Sequence, residues 1–194
     1  MIVTVRHGET EWSLSGRHTG STDVPLTEVG RERAAALAPM LAPYEFALVL
    51  CSPLLRARET CELAGFDASG VELCDDLREW DYGEYEGLTT PEIRESDPDW
   101  SLWRDGCPGG ESPAQIGARA DRALARVRAT DGDAIAFAHG HILRVLGARW
   151  IDLPVAGGAL LFLSTGAVSE LGYERETPVL RSWNLTPGAG TSCG

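Results

Sequence analysis

Arginine and histidine residues stand directly after three strand-like runs of this sequence, in a pattern suited to binding phosphate. Arg6 and His7 follow the first run, Arg56 comes shortly after the second, and His139 follows a third. A guanidinium group forms paired hydrogen bonds to phosphate oxygens and keeps its charge. A neutral imidazole can attack phosphorus, whereas a protonated one can stabilise charge on the phosphate oxygens. These residues therefore predict a site for a phosphomonoester, with one histidine as nucleophile and the second one protonated.

The leaving group of such a reaction needs a proton, and Glu79 is the best candidate to supply it. It lies in the segment LREWDYGEYEG, next to Trp80 and close to Tyr82. Partial burial and a bound dianion would both raise the pKa of a carboxyl group at this position. We therefore expect Glu79 to be protonated at working pH, and Tyr82 is a further candidate for substrate contact.

Each of these residues also has an ordinary explanation when it is taken alone. A histidine after a strand can be a plain polar strand end, and Arg56 can pair with Glu59 on the surface of a helix. The spacing of His139 and His141 also occurs in metal sites, because residues i and i+2 of a strand share a face. A third histidine in a clear motif is missing, so we expect neither a metal nor another cofactor.

The elements around these residues predict a layered α/β fold with a largely parallel sheet. Buried strand-like runs alternate with amphipathic helical patterns, which is typical of such sheets. Thr27, Ser52 and Ser112 are predicted helix N-caps, with a single helix after Thr27 and a hairpin near the end of the chain. Ligands of parallel sheets bind beyond the carboxyl ends of the strands, where the three polar clusters are predicted to meet.

Length and composition are consistent with one domain in a reducing compartment. The 194 residues predict a single domain over 1–185, an irregular insertion at 78–113 and a disordered tail at 186–194. The sequence has no apolar run long enough to span a membrane and no signal-peptide pattern, so we expect a cytoplasmic protein. The five cysteines are scattered, without a C-x-x-C pair, and are expected to be reduced.

The charge pattern excludes several classes of function. The net charge is −12, so the chain repels polyanions and nucleic-acid binding is not expected. All seventeen basic residues are arginine. The absence of lysine excludes both Schiff-base chemistry and the Walker A phosphate loop.

Four blocks, in order along the chain, resemble the histidine phosphatase superfamily, also called the phosphoglycerate mutase-like family. They are RHGETEWSLSGRHTGSTDVPLTEVG, CSPLLRARET, LREWDYGEYEG and AFAHGHILR, and with GCPGGES they lie within residues 2–150. The resemblance implies a three-layer αβα sandwich, a phosphorylated His7 and a proton donor at Glu79. It places Arg6, Arg56 and His139 around the phosphate, with further contacts from Thr19, Gly20 and Gly140. Ser13 stands where the mutases usually carry asparagine.

The same resemblance favours a phosphatase over a mutase. Mutases of the family carry an arginine after the catalytic glutamate, an added lysine and an Arg-Arg pair, whereas here Trp80 follows Glu79 and both other features are missing. The blocks are most similar to actinobacterial broad-specificity acid phosphatases and to sedoheptulose-bisphosphatase-like proteins. We therefore expect a metal-independent enzyme that hydrolyses small phosphorylated metabolites, with Arg104 as a further candidate for a second anionic group.

Two alternative functions and the oligomeric state stay open at this point. One is a cofactor-dependent phosphoglycerate mutase. Another is a non-catalytic module that binds phosphorylated ligands, although such a module would often have lost His7, Glu79 or an arginine. Dimerisation through a sheet edge occurs in this superfamily, and the sequence does not decide whether this chain forms a homodimer.

Overall fold

The computed structural model describes residues 1–187 and contains one six-stranded sheet with helices on both faces. The strand order is β3-β2-β4-β1-β5-β6. The strands are β1 (Ile2–Arg6), β2 (Phe46–Cys51), β3 (Glu72–Leu73), β4 (Asp133–Ala138), β5 (Val168–Glu174) and β6 (Thr177–Leu185). Strands β1 to β4 are parallel to one another, whereas β5 and β6 run antiparallel at one side. The predicted α/β fold with a mostly parallel sheet is confirmed.

Side chains of the central strands alternate between two hydrophobic cores. Val3 and Val5 of β1 belong to one core and Ile2 to the other. In β4, Ile135 and Phe137 face the first core, whereas the alternate alanines face the second. Period-two alternation with apolar residues on both faces requires helices on both sides of the sheet. The result is the three-layer arrangement that the sequence implied.

The helices divide between these two faces. They are α1 (Glu11–Ser15), α2 (Glu28–Ala35), α3 (Ala38–Leu41), α4 (Leu55–Leu63), α5 (Thr90–Ser96), α6 (Leu102–Asp105), α7 (Pro113–Arg128) and α8 (Gly140–Trp150). Side chains of α3 and α4 pack in the core with Val3 and Val5, whereas α7 and α8 pack in the core with Ile2.

Two of the three predicted N-caps are confirmed and the third is wrong. The hydroxyls of Thr27 and Ser112 accept hydrogen bonds from backbone N–H groups in the first turns of α2 and α7. Ser52 does not cap α4, because that helix begins three residues later at Leu55. The Oγ of Ser52 instead lies 2.7 Å from Nε2 of His139.

Two other local predictions also need correction. The single helix predicted after Thr27 is divided into α2 and α3, and Pro39, which has no N–H to donate, lies in the first turn of α3. The predicted hairpin is present as β5 and β6, but its first strand begins only at Val168. Before that strand the backbone forms a 3-10 turn, and Leu160 and Phe162 are exposed.

The segment 78–113 covers one end of the sheet with short helices and buried aromatic side chains. It contains α5 and α6, and it buries Trp80, Tyr82 and Trp100 in the core beside α7 and α8. The indole N–H of Trp80 donates to the carbonyl of Glu111 at 2.9 Å, so the two ends of the segment are joined.

The last strand ends at Leu185, and most of the predicted disordered tail, residues 188–194, lies outside the described residues. None of the helices within residues 1–187 is long and apolar enough to cross a membrane.

Candidate active site

The carboxyl ends of β1, β2 and β4 bring the three predicted polar clusters together. The backbone N–H of His7 donates to the carbonyl of Ala138 at 2.9 Å, which places His7 beside His139. Their ring centroids are 5.2 Å apart. Above them lies a pocket of about 180 Å³, lined by residues that include Arg6, His7 and Glu79.

His7 presents one nitrogen with a free lone pair. Its Nδ1 lies 2.7 Å from the carbonyl oxygen of Gly8, which can only accept, so Nδ1 carries the hydrogen. The Nε2 atom is then unprotonated. Burial, followed by the charges of Arg56 and Arg6, lowers the pKa of His7 well below its usual range. A neutral imidazole with a free Nε2 is the state that a nucleophile requires.

Arg6 places a partly buried cation with an unused donor at the same pocket. Its Nη1 donates to the carbonyl of Leu163, whereas its Nε is buried without a hydrogen-bond partner among the described residues. A buried donor without a partner is costly, and a ligand oxygen would satisfy it. Gly140 lies against this guanidinium, since a Cβ at that position would be 3.2 Å from Cζ of Arg6.

Arg56 lies beneath the pocket and organises its floor. Its guanidinium donates to the carbonyls of Thr19, Gly20 and Thr22 at 2.9 to 3.0 Å. Its Nε donates to Nδ1 of His139 at 3.1 Å. Arg56 and His139 are both fully buried, so Arg56 joins the loop after α1 to the ends of β2 and β4.

His139 is neutral in this structure, contrary to the expectation of a protonated second histidine. Because Nδ1 accepts from Arg56, the hydrogen resides on Nε2 and is donated to Oγ of Ser52 at 2.7 Å. Burial, followed by the charge of Arg56, lowers the pKa of His139 well below its usual range. The sequence placed His139 at the site but did not indicate that Arg56 donates to its ring nitrogen.

Glu79 is ionised, which also corrects the sequence-based expectation. Its Oε1 accepts from the backbone N–H groups of Trp80 and Ile142, and its Oε2 accepts from that of His141, each at 2.9 Å. Two of these donors belong to the first turn of α8, where unpaired N–H groups and the helix dipole favour an anion. Burial alone would raise the pKa of Glu79, but the interactions with His141 outweigh it and hold that pKa well below its usual range.

Tyr82 and His141 form a hydrogen-bonded pair in the wall of the pocket. The Tyr82 hydroxyl lies 2.7 Å from Nδ1 of His141, and the same nitrogen is 3.8 Å from Oε2 of Glu79. Burial, followed by the negative charge of Glu79, raises the pKa of Tyr82 well above its usual range. His18 packs against Tyr82 with ring centroids 4.7 Å apart, and burial with the nearby His141 lowers the pKa of His18 to about 4.

Three of the predicted contact residues lie at the site but are engaged with protein groups. The Oγ of Ser13 takes part in the capping box of α1 through Thr10. Thr19 lines the pocket, while its carbonyl and that of Gly20 accept from Arg56. The N–H of Gly20 donates to the carboxylate of Glu86 at 2.9 to 3.0 Å, so this amide is not free for a ligand.

Arg104 does not join the other predicted residues. Its guanidinium pairs with the carboxylate of Asp105 at 2.7 Å and donates to the carbonyl of Asp99. The side chain is 64% exposed and is not part of the pocket lining. The neighbouring Trp103 is closer to the site, with its ring beneath the guanidinium of Arg144 at 4.6 Å.

The structure adds residues to the site that the sequence reasoning had not assigned. Arg17, His18, His141 and Arg144 line the pocket, and Ser52 contacts His139 below it. Arg144 stands one turn after His141 on α8. The helical spacing within HGHILR therefore indicates that these two side chains share one face of the helix. All four histidines of the chain are therefore in or directly beneath one pocket.

Gly8 and Glu9, the two residues after His7, hold the loop that follows β1 against α2. Gly8 allows a close approach to α2, because a Cβ there would be 2.6 Å from the carbonyl oxygen of Gly30. Glu9 accepts from the hydroxyl of Thr27 at 2.9 Å, which ties the loop after β1 to the start of α2. Within residues 1–187, no group of three or more histidine, cysteine or carboxylate side chains is arranged to hold a metal ion.

Comparison with known proteins gives consistent matches over nearly the whole chain. The family model for the histidine phosphatase superfamily (branch 1) matches residues 2–186. An acid phosphatase of Mycobacterium tuberculosis is 44% identical over 189 residues, covering 95% of this chain and 92% of the relative. A sedoheptulose 1,7-bisphosphatase of Saccharomyces cerevisiae is 41% identical, covering 79% of this chain and 68% of the relative. The solved structure of the open reading frame Rv3214 product from Mycobacterium tuberculosis is similar with a TM-score of 0.90 and 43% identity, covering 96% of this chain and 97% of that one.

Proposed function

The chain belongs to the histidine phosphatase superfamily, branch 1, and from this premise we propose that it hydrolyses small phosphorylated metabolites through a phosphohistidine on His7. The observation that carries the proposal is the pairing of a free Nε2 on His7 with an unpartnered, buried Nε–H on Arg6. His7 attacks phosphorus, and the Nε–H of Arg6 donates a hydrogen bond to a phosphate oxygen. No metal is needed for either role.

The charge distribution of the pocket supports an anionic substrate. Arg6, Arg17 and Arg144 line it, against the single carboxylate of Glu79. The protein as a whole carries −12, so this pocket concentrates positive charge on an otherwise acidic molecule. A phosphomonoester dianion gains hydrogen bonds from guanidinium groups that are fixed before it binds.

The geometry supports a two-step reaction. In the first step, Nε2 of His7 forms a bond to phosphorus while the bond from phosphorus to the ester oxygen breaks. In the second step, water attacks the phosphohistidine and releases inorganic phosphate. Arg56 and His139 hold the floor on which His7 rests, and we propose that a bound phosphate draws hydrogen bonds from them as well. Glu79, which lines the same pocket, is proposed to supply the proton to the departing oxygen, because a bound phosphate dianion opposes its ionised form.

Replacement of the nucleophile tests this proposal directly. We expect His7→Ala to lower the hydrolysis of p-nitrophenyl phosphate by at least about 10³-fold, because no other group forms the covalent intermediate. Quenching of the wild-type reaction in alkaline denaturant, because the N–P bond of phosphohistidine is hydrolysed in acid, followed by intact-protein mass measurement should show one added phosphoryl group that His7→Ala lacks. Undiminished hydrolysis by His7→Ala would reject the proposal, and unchanged thermal unfolding of the variant would show that the fold is intact.

A mutase stays the second candidate because of two residues that the structure adds. The sequence showed none of the extra cations of the mutases, yet Arg17 and Arg144 line the pocket. Those cations would be suited to hold a second anionic group while a bisphosphorylated intermediate reorients. Parallel measurement of phosphate release and of isomer formation from 3-phosphoglycerate separates the two activities, and we expect phosphate release to be faster.

The proposed partners follow from the same chemistry. The substrate is a small phosphorylated metabolite, and the net charge of −12 supports the proposal that nucleic acids are not ligands. Cys51, Cys61, Cys74 and Cys107 are buried free thiols, which supports a cytoplasmic location. Homodimer formation stays a proposal from the family resemblance, and light scattering of the purified protein tests it.

A further inference from the structure

The guanidinium group of Arg6 is held in place by a single backbone carbonyl. Its Nη1 donates to the carbonyl oxygen of Leu163, and within residues 1–187 this is the only hydrogen bond that the guanidinium makes. Its buried Nε keeps an unused donor. Because a guanidinium presents its N–H groups in fixed directions, the position of the Leu163 carbonyl determines where the unused donor of Arg6 points.

The peptide unit that supplies this carbonyl is held at its other end by Asn184. The carbonyl of Leu163 and the N–H of Ser164 belong to one planar peptide group and point in opposite directions. The N–H of Ser164 donates to Oδ1 of Asn184 at 2.7 Å. One peptide unit therefore connects Asn184 with Arg6. Hydrogen bonds in such a chain polarise one another, so the carboxamide also strengthens the carbonyl as an acceptor.

The backbone of β6 is shaped so that the side chain of Asn184 reaches this peptide. The pairing register between β5 and β6 shifts at Ser169, which stands opposite both Trp183 and Asn184. Asn184 has a φ of 63°, in the left-handed region that asparagine adopts more readily than most residues. Its N–H donates to Oγ of the buried Ser169 at 3.0 Å. Such bulges redirect side chains, and this one directs the carboxamide to Ser164.

We infer that Asn184 is a positioning residue for Arg6, which acts by orienting the Leu163–Ser164 peptide. The inference rests on the proposed function, since it concerns how the phosphate ligand Arg6 is held ready for the substrate. Asn184 does not line the phosphate pocket itself, so its effect on the reaction passes through the peptide and the guanidinium.

Other hydrogen bonds hold the rest of this segment, so loss of the carboxamide has a local effect. The indole N–H of Trp183 donates to the carbonyl of Phe162 at 2.6 Å. The N–H of Gly166 donates to the carbonyl of His7 at 2.9 Å. Neither bond involves the side chain of Asn184. Its removal therefore releases one peptide unit, while the segment stays attached to β1 and β6.

Two substitutions at this position test the inference. Asn184→Gly keeps the left-handed backbone and removes the acceptor, whereas Asn184→Asp keeps both. For Asn184→Gly we expect the inhibition constant of inorganic phosphate to rise about 10-fold and kcat/KM for p-nitrophenyl phosphate to fall by a similar factor. For Asn184→Asp we expect both values within about 3-fold of wild type. An aspartate variant as impaired as the glycine variant would overturn the inference.

Arg175→Gly is the matched control. Arg175 also has a left-handed φ, of 54°, but lies exposed in the turn between β5 and β6, at the opposite end of the hairpin from Asn184. We expect this variant to keep the wild-type inhibition constant for phosphate and the wild-type kcat/KM. A loss equal to that of Asn184→Gly would show that any glycine in this hairpin impairs the enzyme, and the inference would fall.

A double-mutant cycle separates positioning of Arg6 from a general structural role. Arg6→Lys keeps the charge but has no rigid fork for the Leu163 carbonyl to orient. In that background we expect Asn184→Gly to change the inhibition constant of phosphate by less than about 3-fold, because contacting groups show non-additive effects. Equal factors in both backgrounds would show that Asn184 does not act through Arg6.

The wild-type protein gives a test that needs no variant. In an NMR spectrum, the amide proton of Ser164 should exchange slowly with solvent and shift when inorganic phosphate is added, because its peptide is bonded to Arg6. Free exchange without a response to phosphate would overturn the inference. Wild-type activity of Asn184→Gly beside an inactive His7→Ala would overturn the inference alone. Undiminished hydrolysis by His7→Ala would instead reject the proposed function.

Discussion

Replacement of Glu79 by glutamine should destabilise the fold as well as alter the reaction. The carboxylate accepts three backbone hydrogen bonds, two of them from the first turn of α8. An amide of the same shape keeps one oxygen and turns an N–H₂ group toward at least one of these donors. A buried N–H without an acceptor costs about 1–3 kcal/mol, and the remaining bonds lose their charge assistance. We expect a total loss of about 3 kcal/mol in the free energy of unfolding.

Thermal unfolding at pH 7 measures this effect. For a chain of this length, about 3 kcal/mol corresponds to a drop in Tm of roughly 6–12 °C. Glu32→Gln is the matched control, because Glu32 is exposed on α2 and its side chain makes no hydrogen bond or ion pair with the described part of the chain. We expect that control to change Tm by less than about 2 °C, since surface substitutions usually stay within about 0.5 kcal/mol.

The difference in stability between wild type and Glu79→Gln, measured as a function of pH, tests whether Glu79 is ionised. The pKa of Glu79 is lowered by folding, so its stabilisation is fully present above the unfolded value of about 4.3. It is lost as pH falls below that value and through the lower folded pKa. The gap between wild type and Glu79→Gln should therefore be constant from pH 7 to 5 and shrink below about pH 4. A variant as stable as wild type at pH 7, or a gap that grows toward acid pH, would refute an ionised Glu79.

Three further predictions concern the floor of the site, the nucleophile and metal dependence. Gly20→Ala should lower stability by about 1–3 kcal/mol, because its Cβ would lie 2.8 Å from the carbonyl oxygen of Trp80 and 2.7 Å from Glu86; an unchanged Tm would contradict this. The pKa of His7 is lowered by burial, Arg56 and Arg6, so the neutral nucleophile persists as pH falls through 6.5. We therefore expect kcat/KM for p-nitrophenyl phosphate not to decline near pH 6.5 as the pH is lowered. Such a decline would argue against a lowered pKa of His7. EDTA should leave the rate unchanged, and strong inhibition that added metal reverses would overturn the metal-independent mechanism.

The gathering of the candidate site residues was predictable because the parallel direction of the strands follows from the alternation of strands and helices. Buried runs that alternate with helices imply parallel strands, and parallel strands bring Arg6, Arg56 and His139 to one edge. The N-caps at Thr27 and Ser112 were predictable for the same reason, since a cap depends on residues within one turn. Local signals therefore determined where the site lies and which residue types it contains.

The charge states were not predictable, because they depend on contacts between distant segments. Glu79 is ionised through the first turn of α8, which lies sixty-two residues later in the chain. His139 is neutral because Arg56 donates to its Nδ1. Ser52 was predicted to cap α4, but its hydroxyl contacts Nε2 of the same ring instead. Arg104 is different, because Asp105, which pairs with it, is its immediate neighbour and was visible in the sequence. For Glu79, His139 and Ser52, the pattern gave the residue type, and the partner came from packing.

The gathering of all four histidines at one pocket has a practical consequence for spectroscopy. Histidine is the only side chain that ordinarily titrates between pH 5 and 8, and this protein has no histidine elsewhere. The imidazole resonances of an NMR spectrum therefore all report on the pocket, without a background from surface histidines. Binding of inorganic phosphate can be followed through these resonances, because a change in the protonation of any histidine reports on the site. For this chain, a histidine titration with and without phosphate is a measurement on the pocket alone.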